Sequence, residues 1–242
     1  MMSLSTANLM ETVKKQYSFK LKANIDAISS LVGIQLVAIL FSLGGIGGSL
    51  SSSEGLQINF NYYSADVVLV FTMFWALVTA ITITTKPYRN HDFTFVTNRL
   101  SSSLSNILFL LTGSLLGAVT ANLSRYLLQL IAFLFRDQQV YSGPFDFPVF
   151  ILGIVMSALY IFCVCSIGYL IGALVQVNKS FVLLVPVLII GSIFLGESIL
   201  VQLFQFYVME PNFVFFLIKI LITTALFFLA SISILNRMEV RR

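Results

Sequence analysis

Charge is what this chain of 242 residues has least of: 10% of them are Asp, Glu, Lys or Arg, against ~25% in a soluble domain. Histidine occurs once and cysteine twice. With a single histidine and no Cys-x-x-Cys, the usual zinc and redox sites are excluded. Cys163 and Cys165 stand two apart in a predicted helix, where their side chains diverge by ~200° and cannot bridge. They read as small apolar core residues. No G-x-x-x-x-G-K-S/T loop is present to cradle a nucleotide. Neither a G-x-S-x-G elbow nor an H-E-x-x-H helix occurs. The apolar stretches offer mainly threonines (Thr72, Thr79, Thr82, Thr84, Thr85), whose hydroxyls bond back to their own helix. His91 beside Asp92 has no nucleophile or second ligand near it in sequence. No chain of carboxylates runs through the apolar stretches to carry protons, so a transporter built this way draws its energy from a partner.

What the chain has in quantity is apolar sequence: 58% hydrophobic and 14% aromatic residues. Six stretches stand out: Ala27–Gly48, Val67–Thr85, Leu104–Leu123, Val149–Val175, Ser180–Gly196 and Phe213–Leu235. About 20 apolar residues cross a ~30 Å hydrocarbon core, so five fit directly, and the fifth in order is slightly short. The pattern predicts an all-α integral membrane protein, one transmembrane domain over residues 1–242 with six transmembrane helices. The first stretch is too long for the apolar part of a signal peptide and reads as a true span.

Basic residues set the orientation. Lys14, Lys15, Lys20, Lys22, Lys86, Arg89, Arg99, Lys179, Arg237, Arg241 and Arg242 fall on one side, and only Arg125, Arg136 and Lys219 on the other. Both termini are therefore expected in the cytoplasm. The net charge of +4 is a topology signal and implies no nucleic acid.

The connections carry further features. Met10, Val13, Tyr17, Leu21, Ile25 and Ile28 recur at steps of three and four, opposite Glu11, Lys15, Ser18, Lys22 and Asp26. This predicts an amphipathic helix over 10–28 lying along the inner leaflet, its lysines toward anionic headgroups. Pro87 ends the second span. Beyond it a polar patch leads into Phe93, Thr94, Phe95, Val96, Thr97, Asn98 and Arg99, a short aromatic and polar piece suited to a groove in a partner. Gly113 and Gly117, then Gly168 and Gly172, stand four apart, the spacing that lets helix backbones approach closely in lipid. Gln176, Val177, Asn178 and Lys179 form a tight turn between the fourth and fifth stretches. On the outer side, 197–212 is apolar and aromatic but broken by Gln202 and Gln205 and closed by Glu210 and Pro211. It is expected to dip back into the leaflet, covered by protein. Glu197 and Lys219 are placed near the outer ends of adjacent helices, where they could pair.

This arrangement resembles the ABC-2 type permeases, the membrane subunits of ATP-driven exporters. That family has an N-terminal elbow helix, six spans with cytoplasmic ends, a coupling helix after the second span and short re-entrant outer helices before the last. The corresponding pieces here are Met10–Ile28, Phe93–Leu100 and Glu197–Asn212. With no large outer domain, the chain is most similar to small Gram-positive permeases of the bacterial plasma membrane, among them staphylococcal modulin-toxin transporters and bacteriocin exporters.

The resemblance implies a dimer, of like or paralogous copies, with each copy bound to a separate cytoplasmic ATPase. ATP and Mg²⁺ would sit in that partner, leaving this chain without cofactor, metal or catalytic residues of its own. It implies that Phe93–Arg99 seats in the ATPase with Gln176–Lys179 as a second contact. It also implies that Glu197, Phe204, Phe206, Tyr207 and Glu210 form an outer gate. The first, second and fifth spans would line the path, and an aromatic wall (Phe71, Phe74, Trp75, Phe194, Phe204, Phe206) suits an amphipathic peptide. Lipids, glycans and drugs stay open as substrates. A capture subunit of a vitamin importer and a non-transporting immunity or sensor scaffold are the alternative classes.

Overall fold

In an apolar medium the backbone has to satisfy its own hydrogen bonds, which favours helices. In the computed structural model the described residues are mainly helical, with one short hairpin. It describes residues 9–43, 48–53, 56–61, 65–85, 87–88, 99–136, 146–194, 202, 205–207, 209–210 and 212–237. In chain order these give α1 (Leu9–Ala23), α2 (Ile25–Ser42), β1 (Gly48–Ser53), β2 (Leu56–Asn61) and α3 (Asp66–Thr84). Then come α4 (Arg99–Arg136), α5 (Phe147–Val177), α6 (Phe181–Phe194) and α7 (Phe213–Arg237).

Five of these helices, α2, α3, α4, α5 and α7, are long and apolar enough to cross a membrane, so the chain has the character of a multi-pass membrane protein. The stretch expected as a fifth span is different. Helix α6 has 14 residues, ~21 Å at 1.5 Å per residue, and carries Pro186 inside it. Alone it falls short of a ~30 Å core; the residues after Phe194, where the sequence carries the span to Gly196, lie outside the described ones.

Other boundaries moved as well. The helix expected over 10–28 stops at Ala23, where Asn24 caps the turn: its backbone N–H and its side-chain amide both donate to the Lys20 carbonyl, at 2.9 and 3.0 Å. The sequence carries the third helix on beyond its span, past Ala121 to Arg125; helix α4 runs further still, to 38 residues, ~57 Å, because nothing between Leu123 and Arg136 breaks a helix. The hairpin was not expected. Its antiparallel register pairs Gly48 with Asn61 and Ser53 with Leu56. Glu54 and Gly55, between the strands in sequence, lie outside the described residues.

The chain divides into two packing units. One comprises Asp26–Trp75 and Gly113–Ile161. Its core is Ala38, Ile39, Val68, Ala121 and Leu128, with Leu43, Val67, Leu69, Phe71 and Ile131 packed against it. Polar side chains pin its helices together. Gln35, buried in α2, donates to the Thr72 hydroxyl of α3 at 3.1 Å and to the Gly117 carbonyl of α4 at 3.3 Å. Asn122 donates to Ser157 of α5 at 3.0 Å.

The other unit comprises Met1–Ile25, Ala76–Thr112 and Phe162–Arg242. Here α7 turns Phe216, Ile220, Thr224, Phe228 and Ser231 inward, at steps of four and three, and leaves Phe215, Leu221, Ile222, Leu226 and Leu229 exposed. Phe228 packs against Phe162 and Tyr169, with ring centroids 5.3 and 5.7 Å apart. The threonines behave as their type predicts: Thr82, Thr84 and Thr85 donate to carbonyls three or four residues back. Cys165 is buried and Cys163 half-buried, both as free thiols.

Candidate functional site

The end of the second unit that holds Thr84, the start of α4 and the end of α5 collects its polar side chains. Three elements meet there. The first is the glycine seam. A Cβ on Gly168 would stand 2.7 Å from the Leu77 carbonyl oxygen and 3.2 Å from its Cα, so α5 and α3 approach at a distance only glycine allows. At Gly172 a Cβ would meet the Thr84 hydroxyl and lie 3.2 Å from the Ile81 carbonyl.

One turn further on, Gln176 donates its side-chain amide to the Thr84 carbonyl. That carbonyl lies in the last turn of α3, where helix acceptors lack a partner within the helix, so the glutamine closes the end of α3 from outside. Directly after it the chain turns: Asn178 accepts from the Ser180 backbone N–H at 3.0 Å, and the Phe181 N–H donates to the Asn178 carbonyl at 3.1 Å. Val177, Asn178 and Lys179 are exposed.

The third element was missed in the sequence. In sequence Lys20 is one of four basic residues before the first span, with Lys14, Lys15 and Lys22. Those three are exposed, but Lys20 is 4% exposed. Its ammonium donates to the Asn106 side-chain oxygen and, at 3.2 Å, to the Ser102 carbonyl. Asn106 in turn donates to the Tyr169 hydroxyl at 3.4 Å. Ser101, Ser103 and Ser105, in the same turns of α4, are buried as well. Gln16, one turn before Lys20, is buried, and its amide has no hydrogen-bond partner among the described residues. The inward face of α1 is thus Val13, Gln16 and Lys20, more polar than the predicted apolar stripe; Met10 and Ile25 of that stripe are exposed. The available signal was the run of serines and the asparagine opening an otherwise apolar α4. On the outer face of α1, Lys15 pairs with Glu11 at 2.7 Å and, through that hydrogen bond and its charge, holds the Glu11 carboxyl below the ordinary carboxylate range.

The residues expected to seat in a partner are placed in part. Phe93, Thr94, Phe95, Val96, Thr97 and Asn98 lie outside the described residues, and Arg99 is the first residue of α4. Glu197 and Phe204 also lie outside them. Of the other residues expected in an outer gate, Phe206 is exposed and Tyr207 and Glu210 half-buried. Lys219 forms an ion pair with Glu210; the pairing with Glu197 that the sequence offered falls outside the described residues. Its ammonium also sits 4.0 Å over the Phe206 ring, and Tyr207 packs edge-on against that ring at 5.0 Å. This ties 206–210 to the first turns of α7.

Gly113 and Gly117, in the first unit, face Trp75 and Thr72. Trp75 is buried and donates to the Ala27 carbonyl and the Ser30 hydroxyl of α2, at 3.1 and 2.9 Å. It is therefore a packing residue, whereas Phe74 is exposed. Among the described residues no group of His, Cys, Asp and Glu is placed to hold a metal. In comparisons with protein-family models, curated proteins and solved structures, nothing matches this chain.

Proposed function

We propose that this chain is the permease subunit of an ATP-driven exporter of the ABC-2 type, with six spans, cytoplasmic ends and a place in a bacterial plasma membrane. It works as a dimer, each copy bound to a separate cytoplasmic ATPase that holds ATP and Mg²⁺, and its cargo is an amphipathic substrate, a peptide above all. The observation that supports this most is the bond from Gln176 to the Thr84 carbonyl. The resemblance implies two segments as contacts for a partner, 93–99 and 176–179, far apart along the chain. Gln176 of the second is bonded to the last turn of the helix from which the first departs. A partner that pushed on 86–98 would push on a base braced by the other segment and by the Gly168–Gly172 seam, and rigid helices would carry the displacement across the membrane.

The role of each part follows from its chemistry. Phe93 and Phe95 supply apolar anchors of the kind that dominate binding interfaces, and Arg99 a charged one. Glu210, Lys219 and Phe206 hold the outer segment to α7, as a gate that has to stay shut between cycles requires. The aromatic, weakly charged sequence suits an amphipathic cargo better than a small ion. The test is the double substitution Phe95→Ala, Arg99→Ala. Loss of hot-spot anchors of this type costs ~2 kcal/mol or more each, so ATPase co-purification should drop at least tenfold while the membrane protein keeps its thermal midpoint. Unchanged co-purification and transport would remove 93–99 from the coupling role.

A further inference from the structure

Lysines on an amphipathic helix ordinarily run their stems along the apolar surface and leave the ammonium in water. Lys20 does the opposite. Taking an ammonium out of water costs several kcal/mol unless hydrogen bonds replace its hydration. Here two acceptors of α4 replace it, the Ser102 carbonyl and the Asn106 side chain. These acceptors sit within the first two turns of α4, at Arg99–Asn106, directly after the segment proposed to meet the ATPase. The bonding also fixes the rotation of α1: each residue of slip would turn the helix by ~100° and take the ammonium away from both acceptors. Asn106 extends the connection to Tyr169 of α5, whose ring packs on Phe228 of α7.

We infer that Lys20 clamps α1 to the opening turns of α4, making them one rigid body, so that α1 moves with whatever displaces 86–98. Lys20 and Asn106 are its positioning residues. The mechanical part stands on the bonds alone; the use of the clamp in ATP-driven coupling rests on the permease reading above.

Two measurements on the full-length protein in lipid nanodiscs test the mechanical part without any ATPase. In amine acetylation followed by mass spectrometry, Lys20 is expected to react at least tenfold more slowly than Lys14, Lys15 and Lys22, and Asn106→Leu to raise its rate several-fold. With spin labels at Ser18→Cys and Leu104→Cys, both exposed positions, on a background with both native cysteines replaced by serine, the distance distribution should be narrow. It should stay narrow in Lys20→Arg, which keeps donors, and broaden in Lys20→Met. Acetylation of Lys20 as fast as that of Lys15, or a distribution that Lys20→Met leaves narrow, would overturn the clamp. If Lys20→Met does not fold, Asn106→Leu serves as the loosened variant.

The coupling part is read with the ATPase bound: Lys20→Met should lower substrate transported per ATP several-fold, with Lys20→Arg restoring it. An unchanged ratio beside a broadened distribution would overturn the coupling role, whereas absence of any ATPase would overturn the permease reading and leave the spin-label result to decide the clamp.

Discussion

Gly168→Leu should be among the most damaging single substitutions in this protein. A methyl group alone at that position would stand 2.7 Å from the Leu77 carbonyl oxygen and 3.0 Å from the Ala80 Cβ. The first of these is backbone, which cannot swing aside as a side-chain end can. Leucine would drive α5 off α3 along the whole seam, and with it the Gly172 contact and the Gln176 bond. Overpacking usually costs ~1–3 kcal/mol; a clash against backbone belongs at or above the top of that range. In a membrane the penalty is felt fully, because helix association rests on close packing in place of a hydrophobic drive. Gly168→Ala should cost less but still destabilise. The control is Gly33→Ala in α2, where a Cβ meets nothing within 4 Å: it should be neutral or stabilising by up to ~1 kcal/mol from helix propensity. Thermal midpoints in one detergent, measured by loss of the monodisperse peak, compare the three. Equal effects at Gly168 and Gly33 would show that the seam is not the close contact described.

Trp75→Ala should rank with it, in the other unit. Trp75 is 7% exposed, and its ring fills the space beside Gly113, where an added Cβ would come within 3.3 Å of it. Its indole N–H holds α2 through Ala27 and Ser30. Removing a buried tryptophan leaves a cavity worth ~3–5 kcal/mol. Trp75→Phe keeps most of the ring and loses mainly the bond, for ~1 kcal/mol. This is the chain's single tryptophan, so wild-type fluorescence reports the site directly. Emission should be blue-shifted and resistant to acrylamide. Red-shifted, readily quenched emission would place the ring in solvent and remove the expected effect.

The apolar lengths of α3, α5 and α7 were legible because a bilayer imposes a length that hydropathy alone reveals; the first span, expected to run on to Gly48, ends as helix α2 at Ser42, and Gly48 opens β1 instead. The run of α4 beyond its span was legible, but its end at Arg136 was not, since no proline or glycine marks where a helix leaves lipid. The hairpin had a local signal, Gly55 followed by alternating Leu56, Ile58 and Phe60, but it is short and lies between two much stronger apolar runs. Burial of Lys20 was hidden for a different reason. Its partner Asn106 is 86 residues away, and a lysine on an amphipathic helix has a satisfactory place in water by default. Gln176 likewise finds its acceptor 92 residues back, so the turn it begins read as a minor contact when it braces the end of α3. For Lys219 the sequence identified a cation needing an acid near the end of the last helix; among the described residues Glu210 pairs with it, while Glu197, which the sequence offered, lies outside them.

The proposed function turns on whether this protein works with an ATPase. The most direct measurement is purification of the tagged protein from its native membrane in mild detergent, with ATP hydrolysis and subunit stoichiometry read on the eluate. A stoichiometric ATP-hydrolysing partner is expected, its hydrolysis stimulated by amphipathic peptide and its retention lost in the Phe95→Ala, Arg99→Ala variant. An eluate without ATPase, after chemical cross-linking before solubilisation has excluded loss to detergent, would contradict the permease reading.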